Sequence, residues 1–244
     1  MTEPIAPTSP PPGHLPPGHP PPGHPDVEII EAETVFERFL RMDVFRFRHR
    51  LFAGGWSAPH TYDVLRRGEA VAVVLYDPDR DTVVLVEQFR LPALLAGAAP
   101  WQTETAAGLV DDPRETPEMV AIRETREETG LALIGDPILI QRYLPSPGDS
   151  DESVFLFCAR IDSTAAGGVH GLAQEGEDIR VVVKTVAEIE TMLDAGAVDT
   201  GHTLIGLYWL VRHRDRLRRQ WAAPAPRLEN VPANWERLGP ATIG

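Results

Sequence analysis

The chain has 244 residues, of which 43% are apolar and 24% charged, a size and composition typical of one large globular domain or of a domain with an appendage. Its formal net charge of −13 disfavours non-specific binding to nucleic acid or to an anionic membrane, because both require a basic surface. No apolar run approaches the roughly 18 residues of a transmembrane helix, and proline occupies the place of a signal peptide, so we expect a cytoplasmic protein.

Residues 1–25 are interpreted as a disordered tail. The sequence PPGH occurs three times with a five-residue period, at 11–14, 16–19 and 21–24. Proline at this density favours an extended polyproline chain and provides no apolar core. Three imidazoles at this spacing would bind a transition metal weakly, but a solvated tail is the simpler interpretation because no rigid scaffold fixes a coordination geometry.

The globular composition begins at Asp26. Residues 26–66 alternate bulky apolar and charged side chains, which predicts a small strand-rich subdomain. The β-branched runs AVAVVLYD (70–77) and TVVLVEQF (82–89), joined by PDRD, predict a hairpin. A loop rich in alanine and proline follows it.

A helix is predicted over residues 117–129, since Thr116 suits the N-cap, Pro117 the first helical position and Gly130 the C-terminal stop. Further elements are expected as strands at 153–161 and 179–186 and helices at 186–196 and 202–221. This alternation predicts an α/β domain with a mixed sheet over 67–221, followed by a loose tail at 222–244. The single cysteine, Cys158, has no disulfide partner and is expected in the core.

The predicted helix carries three glutamates within an arc of roughly 100°. They are Glu124, Glu127 and Glu128. Met119, Ile122 and Thr129 lie opposite, so we expect those three side chains to be buried and the carboxylates to face outward. Such a patch is either an ordinary solvated face or a platform for a hard divalent cation, which takes carboxylate and phosphate oxygens as ligands.

The surrounding spacing favours the functional interpretation. Gly108 precedes the pattern E-x7-RE-x2-EE-x-G, which runs from Glu115 through Arg123 to Gly130 and would arise by chance on the order of once in 10⁵ chains of this length. It resembles the signature of the Nudix hydrolases. It differs in one extra residue between Gly108 and Glu115 and in Thr125, where an aliphatic residue is usual. The resemblance implies a Nudix α/β/α sandwich that hydrolyses a nucleoside diphosphate linked to another group.

Site residues follow from the resemblance by motif position. Mg²⁺, with Mn²⁺ as the alternative, would be held by the backbone carbonyl of Ala107 and the carboxylates of Glu124, Glu128 and Glu177. The catalytic groups would be Glu175 and Glu127. A structural group would consist of Gly108 and the ion pair of Glu115 with Arg123.

Three other stretches resemble the bacterial ADP-ribose pyrophosphatases. They are FRFRHRLFAGG (45–55), YLPSPGDSDES (143–153) and VHGLAQEGEDIRV (169–181). The resemblance covers about residues 26–221 and implies hydrolysis of ADP-ribose to AMP and ribose 5-phosphate. In the last stretch it implies a general base at Glu175 and a metal ligand at Glu177, with the choice of base between the two left open. From composition alone, this acidic loop is equally typical of a solvated turn.

Four substrate contacts are implied in the same way. Arg90 would contact the phosphate or ribose side, or be a surface arginine. Phe39 would stack on adenine opposite Tyr62, where the family has an arginine, although both rings suit half-buried strand positions. Glu152 would contact the terminal ribose. The resembled enzymes exchange N-terminal strands between subunits, which implies a homodimer.

Two other functions remain open. One is a Nudix pyrophosphatase for another nucleotide-sugar or a dinucleoside polyphosphate, which the changed base clamp at Tyr62 would favour. The other is a non-catalytic module that senses a nucleotide. Such modules typically lose signature glutamates, and this chain retains them.

Overall fold

The computed structural model describes residues 23–222, apart from the side chain of Glu175. The proline-rich segment before residue 23 and the C-terminal segment after residue 222 lie outside it, and with them most of both predicted tails. The strands are β1 (Val27–Glu37), β2 (Arg41–His49), β3 (His60–Arg66), β4 (Glu69–Asp77), β5 (Thr82–Phe89), β6 (Trp101–Glu104), β7 (Ala106–Leu109), β8 (Ile138–Tyr143), β9 (Ser153–Arg160), β10 (Val169–His170) and β11 (Ile179–Thr185). The α-helices are α1 (Leu91–Leu95), α2 (Pro117–Thr129), α3 (Val186–Asp194) and α4 (Gly201–Ala222).

These strands form two sheets. The N-terminal strands pair antiparallel in the order β1-β2-β3. The other eight form a sheet of main order β10-β11-β5-β4-β9-β8, with β6 beside β5 and β7 beside β4. Because β4 and β9 run parallel while the remaining pairs are antiparallel, the large sheet is mixed, as the sequence predicted.

The large sheet is covered on both faces, and β4 shows how its sequence achieves this. Successive side chains of a strand point to opposite faces. Val71, Val73 and Leu75 join the apolar cluster that includes Val120 and Ala121 of α2. Alternate residues of β4, together with Cys158, join the cluster that includes α3 and α4. The expected α/β/α sandwich is therefore confirmed, and Cys158 lies in the core.

Helix α4 lies very close to the sheet. A Cβ atom at Gly206 would stand 2.5 Å from Val74 Cγ2, so the absence of a side chain there permits this approach. At the start of the helix, the backbone N–H of Thr105 donates to Thr203 Oγ1 at 3.0 Å. Helix α4 is thus held against β4 at Gly206 and against the turn between β6 and β7 at Thr203.

Helix α2 begins and ends at the predicted residues. The Thr116 side chain accepts a hydrogen bond from the Met119 N–H, and Gly130 adopts a left-handed conformation at φ 69° while its N–H donates to the Arg126 carbonyl. Strands β6, β7 and β8 were not predicted. The first two are short and consist largely of small or polar residues, so they resemble a loop in sequence.

The N-terminal sheet is largely exposed. Every residue of β1 is exposed, including Ile30, Val35 and Phe36. Across residues 23–222, no helix has the length and apolar character needed to cross a membrane. We keep residues 26–66 and 67–221 as the proposed structural units.

Candidate active site

The acidic residues of α2 lie against β7. Glu128 Oε2 accepts a hydrogen bond from the Ala107 N–H at 3.1 Å. A Cβ atom at Gly108 would overlap the carboxylate of Glu124. The glycine of the signature is therefore required for the close approach of helix and strand rather than for an unusual backbone angle.

The expected orientation of α2 is wrong. Glu124 and Glu128 are only 8% and 2% exposed, whereas Met119 and Ile122 are 50% and 51% exposed. Thr129 is buried as expected, and Thr125 is also buried, with its hydroxyl donating to the Ala121 carbonyl at 2.7 Å. The residues of β7 are small enough for the acidic face of α2 to approach this strand, and the strand backbone donates a hydrogen bond to that face. The apolar content of α2 therefore does not determine which of its faces is buried.

Arg123 lies at the centre of an acidic cluster formed by Glu115, Glu124, Glu127 and Glu128. Its Nη1 donates to Glu124 Oε1 at 2.6 Å and to Glu127 Oε2 at 3.2 Å. Its Nε and Nη2 each lie 3.2 Å from a carboxylate oxygen of Glu115, the partner that the sequence indicated. Nη2 also contacts the carbonyl of Leu109 at 3.4 Å. One guanidinium thus joins the loop before α2, the helix and the end of β7.

The two buried glutamates, Glu124 and Glu128, have too few positively charged groups nearby to balance two carboxylates. Burial, and to a lesser extent the nearby charges of Glu124 and Glu177, raise the pKa of Glu128 to about 8, against the opposing effect of the hydrogen bond from the Ala107 N–H. Burial likewise raises the pKa of Glu124 to about 7, although Arg123 opposes this effect. An additional cation at this position would favour the charged carboxylates.

The loop before β11 packs against the C-terminal end of α2. The N–H of Gly171 donates to the Glu127 carbonyl at 3.2 Å. Glu177 Oε2 accepts from the Leu172 N–H at 2.9 Å, and its charge acts on both Glu124 and Glu128. The structure therefore brings Glu177 near the helix carboxylates. Glu175 lies in the adjacent 3-10 turn, and its side chain is not among the described atoms.

Arg90 belongs to the same region, although its side chain is 41% exposed. Its Nε donates to Glu104 Oε2 at 2.9 Å, and its charge lowers the pKa of Glu128. Glu104 is 3% exposed, and burial raises its pKa. We did not identify Glu104 from the sequence; the signal available was an acidic residue in a short strand two positions before Ala106.

In the described part of the chain, the other proposed substrate contacts form no hydrogen bond or ion pair with the acidic residues of α2. Phe39 is 86% exposed in the turn between β1 and β2, so the half-buried alternative for it is wrong. Tyr62 is 54% exposed, makes an edge contact with Phe47 and pairs in register with Phe45. Phe39 and Tyr62 are not neighbours within one chain. Glu152 lies 3.7 Å from Arg67.

The donor set suits a hard divalent cation. It consists of oxygen atoms only, from buried carboxylates that repel one another and from the adjacent strand. In the described part of the chain no three acidic, histidine or cysteine groups already converge on one metal position. Arg123 instead compensates Glu124 and Glu127. The residues therefore fit a metal that would share this compensating role.

Comparison with known proteins assigns the family. A model of the NUDIX domain matches residues 66–199. The chain belongs to the Nudix family. It is 40% identical over 198 residues to an ADP-ribose pyrophosphatase of Escherichia coli (strain K12), covering 81% of this chain and 93% of that protein.

Two further Nudix comparisons extend this result. A GDP-mannose pyrophosphatase of Enterobacter sp. (strain 638) is 33% identical over 190 residues, covering 74% of this chain and 95% of its own. A crystal structure described as an ADP compounds hydrolase superposes with a TM-score of 0.61 at 21% identity, covering 80% of this chain and 96% of the other. At that identity the superposition supports the fold alone.

Proposed function

We propose that the protein hydrolyses the pyrophosphate bond of ADP-ribose, giving AMP and ribose 5-phosphate. The observation that carries the proposal is the pair Glu124 and Glu128, buried against Ala107 and Gly108 at the one place where the Nudix signature requires them. The 40% identity to ADP-ribose pyrophosphatases over most of the chain supports this substrate.

The residues proposed to hold Mg²⁺, or Mn²⁺ in its place, are the carbonyl of Ala107 and the carboxylates of Glu124, Glu128 and Glu177. When bound, the cation would neutralise the diphosphate and lower the pKa of the attacking water. The raised pKa values of Glu124 and Glu128 support this role, because they reflect buried carboxylates without enough positive charge nearby.

The chain's own groups would position the substrate and move the proton. Arg123 and Glu115 hold the carboxylates of α2, so they organise the site rather than react. The Nε of Arg90 donates to Glu104, and the remaining N–H donors of its guanidinium suit a phosphate oxygen. Glu175 is proposed to accept the proton of the attacking water, with Glu177 as the alternative base and Glu127 as close support.

A homodimer is proposed as the working form, in the cytoplasm. Strand β1 is an edge strand of eleven residues, all exposed, in a sheet of three strands. A long exposed edge with apolar side chains readily pairs with another chain. In such a dimer Phe39 of one subunit and Tyr62 of the other would hold the adenine base, and Glu152 would contact the terminal ribose.

A second candidate is a Nudix pyrophosphatase that acts on another nucleotide-sugar. The GDP-mannose pyrophosphatase relatives and the exposed Tyr62 favour it. The complete set of signature glutamates disfavours a non-catalytic sensing module.

A substrate panel distinguishes these candidates. ADP-ribose, GDP-mannose, a dinucleoside polyphosphate and NADH would each be incubated with the full chain and Mg²⁺, with parallel samples in EDTA, and the products resolved by chromatography. We expect ADP-ribose to give the highest kcat/KM, with AMP and ribose 5-phosphate as products and no turnover in EDTA. A higher kcat/KM for GDP-mannose would transfer the proposal to the second candidate.

A further inference from the structure

The loop between β8 and β9 (residues 144–152) is attached to the N-terminal sheet. The Leu65 N–H donates to the Asp149 carbonyl at 2.8 Å, and the Asp151 N–H donates to the Leu65 carbonyl at 3.2 Å. Leu65 and Ser150 form a parallel bridge. The last residues of β3 therefore pair with the loop as a short extra strand would.

A chain of alternating charges accompanies this pairing. Asp43 of β2 is 3% exposed and accepts hydrogen bonds from Arg41 Nε and Arg66 Nη1, both at 2.8 Å. Arg66 Nε donates to Asp151 Oδ2 at 2.5 Å, and Asp151 Oδ1 accepts from the Arg67 N–H at 2.7 Å. One guanidinium thus connects a buried carboxylate of the N-terminal sheet to a carboxylate of the loop.

Asp43 fixes the direction of that guanidinium. Burial opposes the charge of Asp43, yet hydrogen bonds from Arg41 and Thr34 hold its pKa below the ordinary value. A buried charged carboxylate needs its cations in place. Because the arginine fork is planar, Arg66 Nη1 held on Asp43 leaves Nε directed at Asp151. A lysine at position 66 has a single side-chain nitrogen, so it lacks the second donor that arginine holds in a fixed orientation.

The loop lies at the same end of the sheet as the acidic cluster. Strand β4 pairs with β9 on one side, where Glu69 stands opposite Ser153. On its other side β4 pairs with β7, where Ala70 stands opposite Leu109. Leu109 is the residue whose carbonyl contacts Arg123. Residues 144–152 therefore border the site across the width of one strand.

We propose that Arg66, held between Asp43 and Asp151, is a positioning residue that sets the loop 144–152, and with it Glu152, for the sugar end of a nucleoside-diphosphate sugar. It also couples this loop to the N-terminal sheet, so a displacement of the sheet moves a substrate contact. The inference rests on the proposed function, because it takes Glu152 to face the substrate.

The test uses Asp151→Asn and Arg66→Lys in the full chain. In Asp151→Asn the ion pair between Asp43 and Arg66 remains, so we expect this variant to fold. The control is Glu87→Gln, which removes the carboxylate of another arginine pair, that with Arg180 at 2.6 Å, elsewhere on the large sheet. Steady-state kinetics would be measured on the best substrate of the panel, and amide hydrogen exchange would be followed over residues 60–68 and 144–153.

For Asp151→Asn we expect KM to rise on the order of tenfold with kcat within about twofold, as for lost positioning rather than lost chemistry. Exchange at the Leu65 and Asp151 amides should accelerate. Arg66→Lys should raise KM as well, and the control should change neither quantity. An unchanged KM or unchanged exchange in Asp151→Asn would overturn the inference, as would a fall in kcat alone. A best substrate other than ADP-ribose would refute the proposed function, whereas the KM and exchange comparisons on that substrate would still decide whether Arg66 positions the loop.

Discussion

Glu128 and Ala107 are joined directly: a carboxylate oxygen of the helix accepts the backbone N–H of the strand at 3.1 Å. The residue proposed to provide a carbonyl to the cation therefore also orients one of the carboxylates that would bind it. The hydrogen bond fixes the distance between helix and strand independently of any ligand, so the site is preorganised by the fold.

Replacement of Glu128 by glutamine should separate activity from stability. We expect Mg²⁺-dependent kcat to fall on the order of 100-fold or more, because a charged ligand is lost. The melting temperature in EDTA should stay constant or rise, since a neutral amide is easier to bury than a carboxylate. Kinetics and thermal unfolding measure the two effects. Glu118→Gln, an exposed acid in the first turn of the same helix, is the control and should change neither.

Gly108→Ala should impair the proposed metal site by displacing the side chain of Glu124. The new methyl group would overlap the carboxylate of Glu124, so this carboxylate must move. We expect the Mg²⁺ concentration for half-maximal activity to rise on the order of tenfold, with a lower kcat. Gly201→Ala is the matched control, because a Cβ there meets no atom within 4 Å. Equal metal dependence of the two variants would contradict the close approach described for α2 and β7.

Asp77 should contribute stability that depends on pH. It is 1% exposed, and although burial opposes its charge, hydrogen bonds from Ser163 and from the backbone of Arg80 and Asp79 lower its pKa to about 2. A carboxylate with a folded-state pKa below its unfolded value of about 3.9 stabilises the protein above that pH, and the contribution is lost as the pH falls through about 2.

The corresponding variant is Asp77→Asn. At pH 7 it should lower the free energy of unfolding by about 2–4 kcal/mol, measured by urea denaturation, because buried N–H groups lose an acceptor. The difference from the unmodified chain should shrink between pH 5 and pH 2. Asp79→Asn, whose side chain is 71% exposed, should cost less than about 0.5 kcal/mol at either pH. A pH-independent difference for Asp77→Asn would show that the carboxylate charge is not the stabilising feature.

Phe39→Ala tests the proposed base contact. The ring is 86% exposed in the described chain, so its loss should leave the melting temperature unchanged. If it stacks on adenine, KM for ADP-ribose should rise by about five- to 160-fold, the range for stacking worth about 1–3 kcal/mol. Phe52→Ala, which removes another highly exposed ring, should leave KM unaltered. Identical KM values for the two variants would remove Phe39 from the substrate site.

The limits of α2 could be predicted because they depend on neighbouring residues: Thr116 caps the first turn, and Gly130 supplies the left-handed end. The face it buries could not be predicted in the same way. Ile122 is apolar and exposed, whereas Glu128 is acidic and buried, because the partner of this face is a strand of small residues whose Ala107 N–H donates to the Glu128 carboxyl group. Hydrophobic periodicity carries no information about such a partner.

Contacts between residues distant in the chain were the least predictable. Arg66 and Asp151 are 85 positions apart, and neither lies in a pattern that indicates the other. Strand β6 was interpreted as part of a loop, and β7 was not predicted as a strand, because neither carries a run of long apolar side chains; both are defined by their pairing with β5 and β4. Spacing within the signature indicated the acidic residues of α2, and only the folded chain connected them, through Arg90, to Glu104.

Because Gly206 lies so close to Val74, a substitution on the face of the large sheet covered by α4 can affect the proposed active site. A larger residue at 206 would lift α4 away from β4, and Thr203, three residues earlier, would carry the Thr105 amide with it. Thr105 is two residues from the Ala107 carbonyl. A substitution remote from the proposed substrate site would thus weaken binding of the proposed cation, and screens for inactive variants should recover position 206 alongside the glutamates.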